Sequence, residues 1–452
     1  MPFELTRDYI EELKDLIENQ DNDSALNKIT DLHPADIAEI FSELESEEAR
    51  YLYELLDAEK SADVLVEMSE DEREPFIEKM AGEEIARKVI DNMESDDAAD
   101  FISELPEEKQ EVVLQNIEDI DQAGDIVDLL SYDEDTAGGL MAKELIKVYE
   151  DWDIAKCIRD IRRQASEVHE FYVVYVVDKD DVLKGSVSLK KLLISRASAR
   201  IKNIYNNDIV SVETDTPSEE VAMIMKKYDL VSLPVIDPIG RLVGRITIDD
   251  VVDVIREEAV KDYQLISGIT EDVESTDNIF LLTRARLPWL IIGLTGGILG
   301  SRVIGMHEAD LKISPEMALF FPLIGAMGGN AGVQSSAIVV QGIAAGTIGL
   351  QGIVSKLFKE FTVALVNGII LSGLIFLYNL LFTDSFALTI TVSIALLTVI
   401  LFASVFGTFV PLVLHRLRID PALATGPFIT TTNDIIGLSI YLTMGRLMYG
   451  IF

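Results

Sequence analysis

The chain has 452 residues, with 38 Lys+Arg against 78 Asp+Glu, a formal net charge of −40. Residues 284–452 hold 9 Lys+Arg and 7 Asp+Glu, so residues 1–283 hold 29 and 71 and carry all of the excess acidity. Such a surface argues against nucleic acid and anionic lipid as partners and favours cations. The single cysteine, Cys157, rules out an intrachain disulfide. The simplest alternative at this level is a solvated acidic face with no specific role.

The N-terminus, MPFELTRDYIEELKDL, is amphipathic and lacks a basic n-region and an apolar h-region, so no signal peptide is expected. Residues 1–135 read as an acidic helical-repeat domain. LHPADIAEIF, LDAEKSADVL and MAGEEIARKV recur 24 residues apart, and MESDDAADFI follows, each with an alanine at its seventh position (Ala38, Ala62, Ala86, Ala99). This fits a stack of helical hairpins around one shared core. Two similar units follow, at 136–200 and 201–261. FYVVYVVDKDDVLKGSVSLKKLL and LVSLPVIDPIGRLVGRITIDDVVDVI each give an apolar β-branched run, a turn with Asp and Gly, a second short strand and a helix. Each is preceded by a helical run, so the pair reads as tandem β-α-β modules. Residues 262–284 read as a polar connecting helix at the inner membrane face.

Residues 285–452 contain five apolar segments, roughly 287–306, 316–347, 357–382, 386–414 and 421–449, each long enough for a hydrocarbon core of about 30 Å. With the N-terminal part inside, inner flanks hold Arg284, Arg286, Lys356, Lys359, Arg416 and Arg418, and outer flanks hold Arg302, Lys312 and Arg446. This bias places the N-terminus in the cytoplasm and the C-terminus outside.

The fifth segment carries Asp434 in FITTTNDIIGLSIYL. A charge at the bilayer centre costs about 2.5–3.5 kcal/mol on the mildest scale. No Lys or Arg lies mid-span to pair with it, so a permeating cation is the partner expected, with a protonated structural Asp as the alternative. Gly426 and Pro427 lie two turns earlier and can offer backbone carbonyls to the same space. Asn433, about 100° round the helix, faces either that space or another helix. In the second segment, Gly325, Gly328, Gly329 and Gly332 with Ala326 and Ala331 permit close helix approach, while Asn330, Gln334, Ser335 and Ser336 point to a cavity or a partner helix. Carboxylate, amide, hydroxyl and carbonyl oxygens without Cys or His suit Mg2+ or Ca2+. In the soluble part, Asp96, Asp97 and Asp100 cluster on one helix and Asp249, Asp250, Asp253, Glu257, Glu258 and Asp262 on another; divalent cations would relieve their mutual repulsion.

Taken together, DEDTAGGLM, YDLVSLPVID, GGNAGVQSS and DPALATGPFITTTNDIIGL, in this order, resemble the MgtE family of bacterial magnesium channels over nearly the whole chain. The resemblance implies a multidomain membrane protein: an all-α superhelical N domain, an α/β tandem CBS domain, a plug helix and a five-helix α transmembrane domain. It implies a homodimer in the lipid bilayer with a pore on the dimer axis, lined by the second and fifth spans. Asp434 would be the pore carboxylate for hydrated Mg2+, with Gly328, Gly329, Asn330, Gly426, Pro427, Thr430 and Asn433 along the path. It further implies that cytosolic Mg2+ holds the channel closed through Asp96, Asp100, Asp229, Asp250, Glu258 and Asp262. Lys261 departs from the acidic pattern at the plug boundary. CBS modules often bind adenine nucleotides through Gly-x-x-Ser/Thr-x-x-Asp; the second module has Gly244, Thr247 and Asp250, whereas the first has Gly185 and Ser188 but Lys191. One nucleotide per chain, ATP or another, is therefore allowed for.

The reading is a non-enzymatic Mg2+-selective, Mg2+-gated channel of the inner membrane, driven by a potential worth about 2.3 kcal/mol per charge per 100 mV and doubled for a divalent ion. The alternative is a broader Co2+, Ni2+ or Mn2+ transporter or a proton-coupled one. Asp434 argues against an anion channel, and a single mid-membrane Asp argues against an intramembrane aspartyl protease.

Overall fold

The computed structural model describes residues 3–77, 79–165, 171–271, 273, 278–344, 353–424 and 426–449. Residues 345–347 of the expected second span, and 272 and 274–277 of the expected connecting helix, lie outside the described residues. The chain forms two compact units, Met1–Ile255 and Arg256–Phe452.

The first unit begins with short helices, from Arg7–Glu18 to Ile120–Leu129. Their starts are written in the sequence. Asp57 accepts from Lys60 N at 2.9 Å ahead of Ala58–Val66, and Glu45 and Glu48 close a capping box ahead of Ser46–Tyr53. The repeat alanines Ala38, Ala62, Ala86 and Ala99 fall on helices Pro34–Ser42, Ala58–Val66, Gly82–Lys88 and Ser95–Ser103, and all four are buried. Small side chains at these positions let successive helices pack closely.

Each module then builds one three-stranded sheet in sequential order. β1 (Ile146–Tyr149) pairs parallel with β2 (Val174–Val177), and β2 antiparallel with β3 (Leu183–Val187). β4 (Val212–Glu213), β5 (Ser232–Ile236) and β6 (Leu242–Thr247) repeat the pattern. Helices Ile154–Gln164 and Ser218–Tyr228 make the crossovers that parallel pairing requires. The two hairpin turns share their chemistry: Asp178 accepts from Asp180 N and Val182 N, and Asp237 from Ile239 N and Arg241 N. The second module and the N-terminal helices share one continuous apolar core, while the first module has its own.

The connecting element differs from expectation. Residues 262–267 continue one helix, Ile248–Ser267, that starts inside the second module. Neither Gly nor Pro interrupts this stretch, and it ends where Gly268 takes φ +83°.

The second unit holds five long helices: Ile279–Met306, Phe321–Ala344, Ile353–Phe382, Phe386–Arg416 and Gly426–Tyr449. Among the described residues, four helices are long and apolar enough to cross a membrane. The fifth long helix, Gly426–Tyr449, has 24 residues, about 36 Å at 1.5 Å per residue, but its apolar character is diluted by the run from Thr430 to Asp434. The fourth helix packs on the second, third and fifth. Glycines make the closest crossings: Gly407 lies on the backbone of Gly332, and Gly445 on Met317.

Candidate functional site

In the second unit the first, second and fifth long helices surround a cavity of about 550 Å³. Asp434, Thr430 and Thr431 line it from the fifth helix, and Gly325, Ala326, Gly329 and Asn330 from the second. The second helix presents no side chain bulk at Gly325 and Gly329, where a Cβ would stand 3.5 and 3.7 Å from Asp434 Oδ1. This keeps the cavity beside the carboxylate clear of side chains from the second helix at these two positions. Thr430 turns its hydroxyl back onto Gly426 O at 2.9 Å.

Four expected path residues, Gly328, Gly426, Pro427 and Asn433, are not in that lining. Gly328 faces Val399 and the Asn433 backbone. Asn433 is 1 % exposed and donates from Nδ2 to Gly328 O at 3.4 Å. Both are packed between helices, as the 100° offset from Asp434 allows. Gly426 and Pro427 sit against the end of the connecting helix: a Cβ on Gly426 would overlap Ile266 O, and one on Gly268 would stand 2.7 Å from Pro427 Cγ.

Sequence reasoning missed the third wall. The first helix lines the cavity with Gly293, Gly296, Gly297, Gly300 and Ser301. The signal was present in GLTGGILGS, but glycines within a span read first as packing. It also missed Glu360 on the third helix, whose Oε1 lies 2.6 Å from Ser335 Oγ.

In the first unit a second group of carboxylates gathers. Oxygens of Glu94, Asp96 and Glu144 lie within 4.8 Å of one another, a set able to hold a metal ion. Glu94 occupies the N-cap position of helix Ser95–Ser103 without a capping hydrogen bond from its side chain, and Glu144 precedes β1. Ser95 N and Oγ donate to Glu144 Oε1 and Oε2 at 3.2 and 2.7 Å. Asp96 and Asp97 lie close enough to Asp250 for the charges to interact. Burial, then Asp97 and Asp250, pushes Asp96 well above the ordinary carboxylate range. Burial and the Asp250 charge push Asp97 up to about 7. Dehydration, with Glu134 next, pushes Asp100 up to about 7. In all three burial is the leading cause, and neighbouring carboxylates add to it.

The remaining predicted residues are dispersed. Asp229 stands exposed at the left-handed C-cap of Ser218–Tyr228. In the second unit, Glu258 pairs with Lys261 at 3.1 Å, so the departure at Lys261 places an ammonium beside an expected ligand, and Asp262 follows on the same helix. Thr247 N and Oγ1 both donate to Asp250 Oδ2, at 2.9 and 2.8 Å. This leaves Oδ1 to meet a ligand hydroxyl. Gly244 is overlaid: a Cβ there would stand 2.6 Å from Met141 Sδ and 2.9 Å from Ala142 O.

Apolar helices lining a cavity that holds Asp434, in one chain with an acidic helical domain and paired β-α-β modules, define a multi-pass membrane transport protein with a soluble N-terminal region. Residues 321–444 match the model of the MgtE divalent cation transporter domain, 32–135 that of the MgtE intracellular N domain, and 137–197 and 201–257 that of the CBS domain. The magnesium transporter MgtE of Thermus thermophilus is 32% identical over 96% of this chain and 97% of its own. That of Enterococcus faecalis is 31% identical over 73% and 72%. A crystal structure of the cytosolic domain of the Mg2+ channel MgtE in complex with ATP matches at 32% identity and TM-score 0.51, covering 54% of this chain and 99% of that one. A crystal structure of the soluble part of a magnesium transporter matches at 27% identity and TM-score 0.50, covering 56% and 98%. The chain belongs to the MgtE family.

Proposed function

We propose that the protein is a Mg2+-selective channel for passive uptake, closed by Mg2+ bound on the cytosolic side among the N-terminal, CBS and connecting-helix carboxylates. The observation that carries this reading is the placement of Asp434 in a cavity walled by glycines, threonines and Asn330. All the polar ligands there are oxygen or amide, which suits a hard cation that keeps its water. The protein works as a homodimer, two copies of Asp434 facing the axis, in the inner membrane with residues 1–283 in the cytoplasm and the C-terminus outside. Five long helices in the second unit and the basic bias of the inner flanks support that orientation.

Closure follows from charge. Asp96, Asp97 and Asp250, with Glu94 and Glu144, repel one another in a half-buried space, and Asp100, Asp229, Glu258 and Asp262 add to the surrounding field. An ion bound only by the compact arrangement must favour it. An adenine nucleotide at Thr247 and Asp250 is supported by the ATP complex of the similar cytosolic domain. It shares Asp250 with the regulatory ion, so the two compete there.

The test is Mg2+ flux into liposomes by the Asp434→Ala protein. Flux falls to background while the protein stays folded. Near-normal flux rejects Asp434 as the path carboxylate.

A further inference from the structure

The acidic cluster of the first unit contains a cation of its own. Arg245 lies on β6 and is 5 % exposed. Its Nη2 donates to Glu94 Oε2 at 2.8 Å, and its Nε donates to the backbone carbonyl of Glu144. Its backbone is fixed to the same segment: Arg245 N donates to Ala142 O at 2.9 Å, and Ala142 N to Arg245 O at 2.8 Å. The loop of contacts closes through Ser95, which donates to the Glu144 carboxylate and accepts from Lys143 N at 2.8 Å. One guanidinium therefore clamps the start of helix Ser95–Ser103, in the N-terminal domain, to β6, an edge strand of the second CBS module's sheet.

The charge balance around it is incomplete. Glu94, Asp96, Asp97, Glu144 and Asp250 face this space. Lys143, next to Glu144 in the chain, turns away to Asp128 at 2.6 Å. Arg245 satisfies Glu94 with a planar fork that also reaches a carbonyl, a geometry a lysine ammonium does not reproduce. The carboxylates that remain are the ones a divalent ion has to bridge.

We propose that Arg245 is a positioning residue that sets how much Mg2+ closes the channel. It supplies part of the cross-domain attraction permanently, so Mg2+ has only the remainder to provide. This rests on the reading of closure given above. Removing Arg245 has two opposed effects: it frees Glu94 for an ion, and it leaves Glu94 and the Glu144 carbonyl without their partner. The second dominates, because removing the buried guanidinium leaves the partly buried Glu94 carboxylate uncompensated at every ion concentration, whereas the freed ligand helps only once an ion has bound.

The experiment uses the full-length protein in liposomes and measures the Mg2+ concentration on the side of residues 1–255 that halves flux. Arg245→Met is expected to raise it about tenfold, equivalent to about 1.4 kcal/mol, and Arg245→Lys to fall between the two. Limited proteolysis of the 130–141 segment is followed in parallel, and Arg245→Met should reach the wild-type protection at saturating Mg2+. A midpoint that is unchanged or lowered overturns the proposal, the latter making Arg245 a competitor of the ion. Protection that never reaches the wild-type level also overturns it, assigning Arg245 to the fold alone. If the wild-type flux ignores Mg2+ on that side, the closure reading itself fails instead.

Discussion

Gly296 and Gly297 are neighbours in the chain and face different surroundings. A Cβ on Gly296 would overlap Thr431 of the fifth helix, whereas one on Gly297 would meet nothing within 4 Å and would stand in the cavity. Gly296→Ala should therefore push the first helix off the fifth and cost about 1–3 kcal/mol, the usual range for overpacking. Gly297→Ala should be close to neutral for stability. Thermal melting of the two detergent-purified variants checks the difference, and equal midpoints would contradict this packing. The pair also marks how far the site is legible at this scale. Asp434 and Asn330 announce themselves because a polar side chain in a span needs a reason. A glycine that makes room and a glycine that makes contact look identical in sequence, which is why the first-helix wall was invisible and why Gly328 was placed on the path.

Among single elements, helix Ser95–Ser103 concentrates the electrostatic strain. Asp97 lies on it with a carboxyl pushed up to about 7 against an ordinary 3.8, chiefly by burial. A carboxyl raised in the folded state is favoured there when protonated. Its stabilising contribution is thus complete below the ordinary value and is lost as pH rises through about 7. Asp100 at about 7 and the raised Asp96 act in the same direction. Without divalent ions, protease protection of the first unit should weaken from about pH 5 to about pH 8, and Mg2+ should restore it most at the alkaline end. Protection independent of pH in chelator would show these carboxyls to be ordinarily hydrated. The helix itself was legible from its acidic start and its alanine spacing. Its partners were not: Glu144 lies 49 positions beyond Ser95, and no local period links them. The connecting helix was misread for a different reason, since a change of domain in the chain need not interrupt a helix that contains no Gly or Pro.

For the whole molecule, the division between an acidic soluble part and a nearly neutral apolar part was plain from charge and hydropathy alone, because bilayer and water impose opposite compositions. The tandem modules were plain because each repeats the same strand, turn and helix signals. What sequence periodicity could not supply is the fusion of the N-terminal helices and the second module into one core, since that depends on contacts between distant segments. In the closure proposed above, ions that draw the carboxylates together would act on domains already in contact through this shared core. In the proposed function, the opening of the cation path depends on Mg2+ at the acidic soluble region. This dependence is tested most directly by Mg2+ flux into liposomes bearing the full-length protein, with and without millimolar Mg2+ on the side that holds residues 1–255. Flux should run freely in the absence of Mg2+ on that side and fall steeply in its presence. Absence of flux in both conditions, or equal flux in both, would contradict the account.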